Sequence, residues 1–202
     1  MQITPAMVKE LREKTDAGMM ECKTALVEAD GDMEKAVEIL RKRGVATASK
    51  KSTRVASEGV IGSYIHHNHK VGVLIEVNCE TDFVAKNDKF KELVHNVAMQ
   101  IAVTRPRWVR RDEVPAAVVE KEREIYREAL KNDEKNRNKP PAVMDKIIDG
   151  RIEKFFKETC LTEQEYIKDS TMTIEGYVHS IIGVIKENIR IRRFCCFKVG
   201  EE

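Results

Sequence analysis

The sequence lacks every feature of a membrane or secreted protein. It has no run of about 18 apolar residues, the length that a helix needs to cross a bilayer. The first residues, MQITPAMVKELREK, lack the apolar core of a signal peptide. Five cysteines, an odd number, form no CxxC pair, and this usage is typical of a reducing compartment. We therefore expect a cytoplasmic protein with no membrane segment.

The sequence also lacks an excess of charge of one sign. Its 36 basic and 34 acidic residues leave a net charge of +2. A protein that binds phosphates directly needs surplus cationic side chains on one surface, so we expect no direct binding of nucleic acid. An RNA- or ribosome-associated protein stays a rival interpretation because basic residues cluster locally, at Lys50, Lys51 and Arg54, and at Arg105, Arg107, Arg110 and Arg111.

Motifs for catalysis are absent as well. The sequence contains no GxSxG, HExxH, GxGxxG or GxxxxGK[ST]. A thiol hydrolase built on Cys79 would need His66 or His69 within reach, so a buried cysteine at the end of a strand is the favoured interpretation. Neighbouring strand residues point to opposite faces, so we interpret HHNHK at 66–70 as a polar turn and not as a metal site. We predict neither an enzyme nor a cofactor.

Apolar residues recur with helical spacing in the first 44 residues. Thr4 and Pro5 begin a first helix, Met19–Ala29 forms a second, and Met33–Arg43 forms a third that Gly44 ends. Three short helices predict a small bundle. Residues 46–57 are small, polar and basic, which suits a linker or a loosely helical connector.

The period changes to two after Glu58. Val60–His66 and Val71–Val77 predict a hairpin, and Asn87 or Asp88 begins the following helix. Two helices are expected between 112 and 156, around the break NDEKNRNKPP, and another over 173–187. The last strand is predicted to bury one face, formed by Ile189, Ile191, Cys195, Phe197 and Val199. Strands and helices do not alternate regularly, so the fold class is α+β with an antiparallel sheet.

Two apolar features stand where polar residues are usual. Met19 and Met20 begin the second helix, and neighbours on a helix lie about 100° apart, so at most one can be central to the small core. The other either contacts a partner or lies partly over that core. Phe83, next to Asp82, occupies the corner between the second strand and the next helix. Its ring either folds into the core or stays outside for a partner to bury.

Two long segments resemble bacterial-type elongation factor Ts, the guanine-nucleotide exchange factor of elongation factor Tu. They are LREKTDAGMMECKTALVEADGDMEKAVEILRKRG and EGVIGSYIHHNHKVGVLIEVNCETDFVAKNDKF, and IKENIRIRRF is similar to the end of the family's sequences. The resemblance is dense over 8–100 and 181–197 and thin over 110–170. It implies an N-terminal three-helix module similar to ubiquitin-associated domains, over 1–45, and an α+β core or dimerisation domain over 58–202.

The resemblance also assigns roles to residues. It implies that the TDFV motif, Thr81, Asp82, Phe83 and Val84, enters elongation factor Tu near the magnesium bound to its nucleotide. It implies further that the segment around Met19 and Met20 binds the GTP-binding domain of that partner. The chain is shorter than many relatives and is similar to members that dimerise, so we expect a homodimer.

The sequence departs from the family at Asp16 and at the adjacent pair Cys195 and Cys196. Asp16 stands where the family commonly has Gly, which affects the turn before Met19. Cys195 and Cys196 replace a single cysteine, and since adjacent strand residues diverge, one is expected in the core and the other exposed. Whether a disulfide crosses the dimer is left open.

Overall fold

The structure, a computed structural model, describes residues 3–133 and 139–201. The chain divides into two compact units, Met1–Met99 with Glu175–Glu202, and Gln100–Ile174. Several helices and small antiparallel sheets occur without regular alternation, which confirms the α+β fold class. The predicted division at 45 and 57 stays a prediction.

The first unit begins with the predicted three helices, α1 (Pro5–Thr15), α2 (Met19–Glu28) and α3 (Met33–Lys51). Side-chain oxygens of Thr4 and Asp32 cap α1 and α3, as Ser, Thr and Asp do at helix N-termini. Between α1 and α2, Asp16 adopts a left-handed φ of 56° and its carboxylate pairs with Lys89 at 2.5 Å. Asp16 thus adopts a left-handed backbone conformation of the kind that glycine favours. The helices enclose a small core of Val8, Leu11, Ala17, Cys22, Ala25, Leu26, Ala29 and Ala36.

The predicted end of α3 at Arg43 is wrong, because the helix runs through Gly44 to Lys51 and takes up the first part of the expected linker. A side chain at Gly44 would be crowded by a neighbouring helix. A Cβ at Gly44 would lie 3.2 Å from the carbonyl oxygen of His179, and one at Gly183 would lie 3.2 Å from the Cα of Gly44. Both contacts are with helix α8 (Ile174–Ile185), whose backbone comes close to α3 at this point.

A three-stranded antiparallel sheet of order β1-β2-β5 completes the first unit, with β1 at Glu58–Ile65, β2 at Val71–Cys79 and β5 at Arg190–Lys198. The predicted hairpin is confirmed, with Val60 opposite Val77. Val73, Ile75 and Val77 are buried on the inner face. There, the side chain of Val94, from helix α5 (Asp88–Thr104), occupies the space beside Gly62.

The predicted inner face of the last strand is wrong beyond Ile191. Glu76 pairs with Arg193 and Val77 with Ile191, so Arg192 is an extra residue that forms a β-bulge. Because side chains of a strand point alternately to its two faces, one extra residue exchanges the faces of all side chains that follow it. Cys195 and Phe197 therefore point outward, and Val199, beyond the strand, is exposed too, while Phe194 and Cys196 are half-buried. One cysteine is exposed and the other partly covered, as expected of adjacent strand residues.

The second unit contains helices α6 (Ala116–Asn132) and α7 (Pro141–Thr159) and a small sheet of β3 (Glu165–Tyr166) and β4 (Asp169–Thr173). The two predicted helices are confirmed, although part of the predicted break, 134–138, lies outside the described residues. Leu130, Ile148 and Ile152 form one buried cluster of this unit, and Val114, Phe155 and Cys160 form another. Short 3-10 turns occur at Arg111–Glu113 and Leu161–Glu163.

Candidate functional site

The Phe83 corner, residues 80–87, joins β2 to α5. Within it, helix α4 (Asp82–Ala85) is a single turn. The side chain of Phe83 is 81% exposed, while Ala85 on the same turn is buried. The ring is therefore outside the core of this chain and available to a partner.

The first residues of the corner form a compact cap. Thr81 adopts an extended conformation before α4, and its hydroxyl oxygen accepts a hydrogen bond from the Val84 amide at 3.4 Å. The Thr81 carbonyl accepts from the Ala85 amide at 3.2 Å. Asp82 pairs with Lys86 at 2.7 Å, and this hydrogen bond holds the pKa of Asp82 below its usual range. Thr81, Asp82, Phe83 and Val84 thus lie on one turn, which the α5 helix follows at once.

A residue that sequence reasoning missed, Glu187, holds this cap from the other end of the unit. Its carboxylate accepts hydrogen bonds from the Glu80 amide at 3.2 Å, the Thr81 amide at 3.0 Å and the Thr81 hydroxyl at 2.7 Å. Glu187 follows α8 and lies 106 positions from Thr81. No local pattern could have indicated this contact.

The tip of α2, defined by Met19 and Met20, is a second exposed apolar surface of the same unit. Met19 is 46% exposed and Met20 72% exposed, so neither is central to the small core. Gly18 caps the helix, and its amide donates to Glu21 at 3.3 Å. The Glu21 carboxylate also pairs with Lys186 at 2.7 Å, so the residue just before Glu187 contacts the first turn of α2.

The outer face of the three-stranded sheet is the third apolar surface. The register places Leu74 between Ser63 on one side and Cys195 on the other, and Glu76 opposite Arg193. Arg193 donates to Glu76 at 2.7 Å. Large side chains that are exposed on this face are Ile61, Ile65, Leu74 and Phe197. Several exposed apolar side chains on neighbouring strands of one face are typical of a protein–protein interface.

The rival chemistries find little support in the geometry. Burial, with the negative charge of Glu187 as a second cause, raises the pKa of Cys79 to about 11, and its thiol donates to the Thr81 carbonyl at 3.2 Å. A reactive cysteine needs the opposite shift. Among residues 3–133 and 139–201, no group of three or more His, Cys, Asp or Glu side chains is arranged to hold a metal ion.

The local basic groups are partly neutralised by carboxylates. Arg111 contacts Glu163 at 2.6 Å and Glu153 at 3.0 Å, and Arg110 contacts Glu113 at 2.7 Å. These pairs leave less cationic surface for phosphates than the sequence suggests, which weakens the RNA-binding interpretation. Within the described part of the chain, no helix has the length and apolar character needed to cross a bilayer.

Comparison with known proteins identifies the family. The family model described as elongation factor TS matches residues 2–201. The elongation factor Ts of Pseudothermotoga lettingae is 56% identical over 202 residues, 100% of both chains, and that of Fervidobacterium nodosum is 55% identical over 201 residues, again 100% of both. The elongation factor Ts of Heliobacterium modesticaldum is 55% identical over 199 residues, 98% of this chain and 91% of that protein. The chain therefore belongs to the elongation factor Ts family.

Proposed function

We propose that this chain is a cytoplasmic guanine-nucleotide exchange factor that binds elongation factor Tu with GDP and promotes GDP release during translation elongation. Membership of the family supports the activity and the partner. The observation that carries the proposal is the exposed ring of Phe83 on a turn whose backbone is held in place. Exchange of this kind makes and breaks no covalent bond, so no catalytic residue is needed.

The TDFV motif displaces the bound magnesium. Burying the Phe83 ring in a pocket of elongation factor Tu yields about 1.5–3 kcal/mol from apolar area. That free energy moves partner side chains and waters away from the ion, and without magnesium the diphosphate charge is no longer neutralised. Asp82 follows the ring into the same site, since solvent screens its pair with Lys86 and opening that pair costs little. Thr81 and Val84 fix the turn.

Coupling between the two ligands is reciprocal. This chain weakens the binding of GDP to elongation factor Tu by some factor, and GDP must weaken the binding of this chain by the same factor. Rebinding of nucleotide therefore releases the exchange factor. The tip of α2 supplies affinity that does not depend on the nucleotide, because flexible methionine side chains at Met19 and Met20 adapt to a partner surface.

The active form is a homodimer that pairs through the outer face of the sheet. The family resemblance supports the dimer, and the exposed Ile61, Ile65, Leu74 and Phe197 offer a surface for it. A twofold axis brings the same patch of two copies together, which suits an apolar face on which the charged pair of Glu76 and Arg193 is internally neutral.

Release of a fluorescent GDP from elongation factor Tu at fixed magnesium tests the exchange function. The wild-type chain should accelerate release, and Phe83→Ala should reduce the acceleration by about 10- to 100-fold, which is the rate equivalent of the lost burial. Val103→Ala, an exposed apolar residue of the other unit, is the matched control and should act like the wild type.

The same assay can reject the proposal. Release that the wild-type chain does not accelerate would overturn the exchange function. Acceleration by wild type and Phe83→Ala alike would retain exchange and overturn the role of the ring. Melting temperatures of all three proteins should agree, because neither side chain is buried.

A further inference from the structure

We propose that Glu187 is a positioning residue that fixes the direction of Phe83 in the free protein. The inference rests on the proposed function, because it assigns Glu187 a part in nucleotide exchange. The carboxylate reaches the corner through residues that precede Phe83. It acts through the backbone of Glu80 and Thr81 and through the Thr81 hydroxyl.

Both oxygens of the carboxylate are used. Oε2 accepts the two consecutive amides of Glu80 and Thr81, and Oε1 accepts the Thr81 hydroxyl proton. Because that proton points to Glu187, a lone pair of the hydroxyl is left for the Val84 amide. The carboxylate therefore sets the orientation of the group that caps α4. Hydrogen bonds to an ionised acceptor are about twice as strong as neutral ones.

The remaining polar groups of Thr81 are satisfied as well. Its carbonyl accepts the Ala85 amide at 3.2 Å and the Cys79 thiol at 3.2 Å. Each polar atom of this residue thus has a partner, and the residue stands two positions before Phe83. A four-residue helix is too short to be stable by its own hydrogen bonds. The direction of the ring consequently depends on how firmly Thr81 is held.

A reciprocal contact next to Glu187 strengthens this attachment. The Asn188 amide donates to the Glu80 carboxylate at 2.6 Å, and the Asn188 side chain donates to the Arg54 carbonyl at 2.8 Å. The hydrogen bond from Asn188 is the main cause that lowers the pKa of Glu80. The Glu187 carboxylate therefore accepts amides of the Phe83 corner, and the Glu80 carboxylate of that corner accepts the amide of Asn188. Such a double bridge restrains the Phe83 corner against the segment that follows α8.

This attachment orders the Phe83 corner before the chain binds its partner. A loop that must be ordered on association loses affinity to the ordering, whereas a loop already in the bound conformation does not. Binding through the tip of α2 does not need the corner to be ordered, so removal of Glu187 adds the cost of ordering to the step in which the ring enters the partner. The maximal rate of GDP release therefore falls. The concentration for half-maximal effect changes less, since the tip of α2 still binds.

The first experiment compares Glu187→Ala with Glu187→Gln in the GDP-release assay. The alanine variant should lower the maximal rate by about 10- to 100-fold, the equivalent of losing hydrogen bonds to a charged acceptor. Glutamine keeps the length and an oxygen for the two amides, and its NH2 group can donate to the Thr81 hydroxyl oxygen. It should therefore restore the rate to within about 3-fold of the wild type, since the two amide hydrogen bonds remain without their charge assistance and the contact with the Thr81 hydroxyl remains with donor and acceptor exchanged.

A double-mutant comparison separates positioning from general stability. In a Phe83→Ala background, Glu187→Ala should change the rate by less than about 2-fold, because a residue that acts through the ring has no effect once the ring is gone. Glu113→Ala is the matched control, since Glu113 also accepts a backbone amide, that of Val109 at 3.1 Å. The control should reduce stability without lowering the maximal rate.

Amide hydrogen exchange of the free chain gives a readout that needs no partner. Glu187→Ala should remove the protection of the Thr81 and Val84 amides, and Glu187→Gln should keep most of it. Unchanged protection in the alanine variant, or fully additive effects in the double mutant, would overturn the role of Glu187 while the exchange function stands. A wild-type chain that releases no GDP would instead overturn the exchange function, and the purpose assigned to Glu187 with it.

Discussion

Both faces of the three-stranded sheet carry large apolar side chains, yet among the described residues only those on the inner face are covered by the chain itself. Ile75 on the inner face is 1% exposed, whereas its neighbour Leu74 on the outer face is 48% exposed. Strand residues alternate between faces, so adjacent positions of one strand belong to different environments. The comparison shows that the number of apolar residues in a strand indicates how much apolar surface has to be buried. It does not indicate whether the same chain or a second protein buries that surface.

The largest expected effect tests the inner face. Ile75→Ala should lower the free energy of unfolding by about 2–5 kcal/mol, because it removes buried methyl groups and leaves a cavity. Leu74→Ala, one position away, should cost less than about 1 kcal/mol, because half of that side chain is already in water. Urea unfolding at a concentration where sedimentation shows a monomer measures both. Equal losses would mean that another part of the same chain covers the outer face.

The next effect tests what covers the outer face. Leu74→Lys should weaken dimerisation by about 10- to 100-fold, since each copy loses apolar area and gains a charge near its twofold mate. Sedimentation velocity over a concentration series measures it. Val55→Lys, which changes an exposed valine outside the sheet, should dimerise like the wild type. A wild-type chain that stays monomeric at every concentration would contradict the homodimer.

Alternation in the central strand could be predicted from the sequence because nothing interrupts it. Val71, Val73, Ile75 and Val77 face one way along all of β2, and the pairing with β1 has no irregularity. The last strand differs because Arg192 is an extra residue, and a bulge has no signature in a run of basic and apolar residues. Gly44 is a second case in which the sequence gives no signal. A glycine at this position resembles the end of a helix, but in the structure it lies within α3, where α8 comes close.

The candidate site also has a part that the sequence indicates and a part that it does not. The sequence leaves open whether the Phe83 ring is exposed, and it does not indicate the cap at Thr81. The position of the corner, between β2 and the next helix, could be predicted from residues that are neighbours in sequence. The attachment by Glu187 could not, because it joins residues 106 positions apart and a glutamate after a helix is usually solvated. Local chemistry indicates where a turn lies, and only the fold shows what holds it.

The smallest effect concerns the charged pair of the outer face. A hydrogen bond from Arg193 is the main cause that lowers the pKa of Glu76 below 4.5. A carboxyl group with a lowered pKa in the folded state stabilises the protein above its unfolded pKa, and this contribution is lost as the pH falls through the lower, folded value. Arg193→Gln should therefore raise the pKa of Glu76 toward 4.5, as an NMR titration of the carboxyl group would measure.

Arg192 is the control for that titration, since it belongs to the bulge and affects Glu76 only through its charge at a distance. Arg192→Gln should shift the Glu76 pKa upward by less than Arg193→Gln does. A shift of equal size in both variants would show that general positive charge, and not the hydrogen bond across the strands, sets the titration. The proposed dimer would remove the pair from solvent screening, so the difference between the two variants should grow with protein concentration.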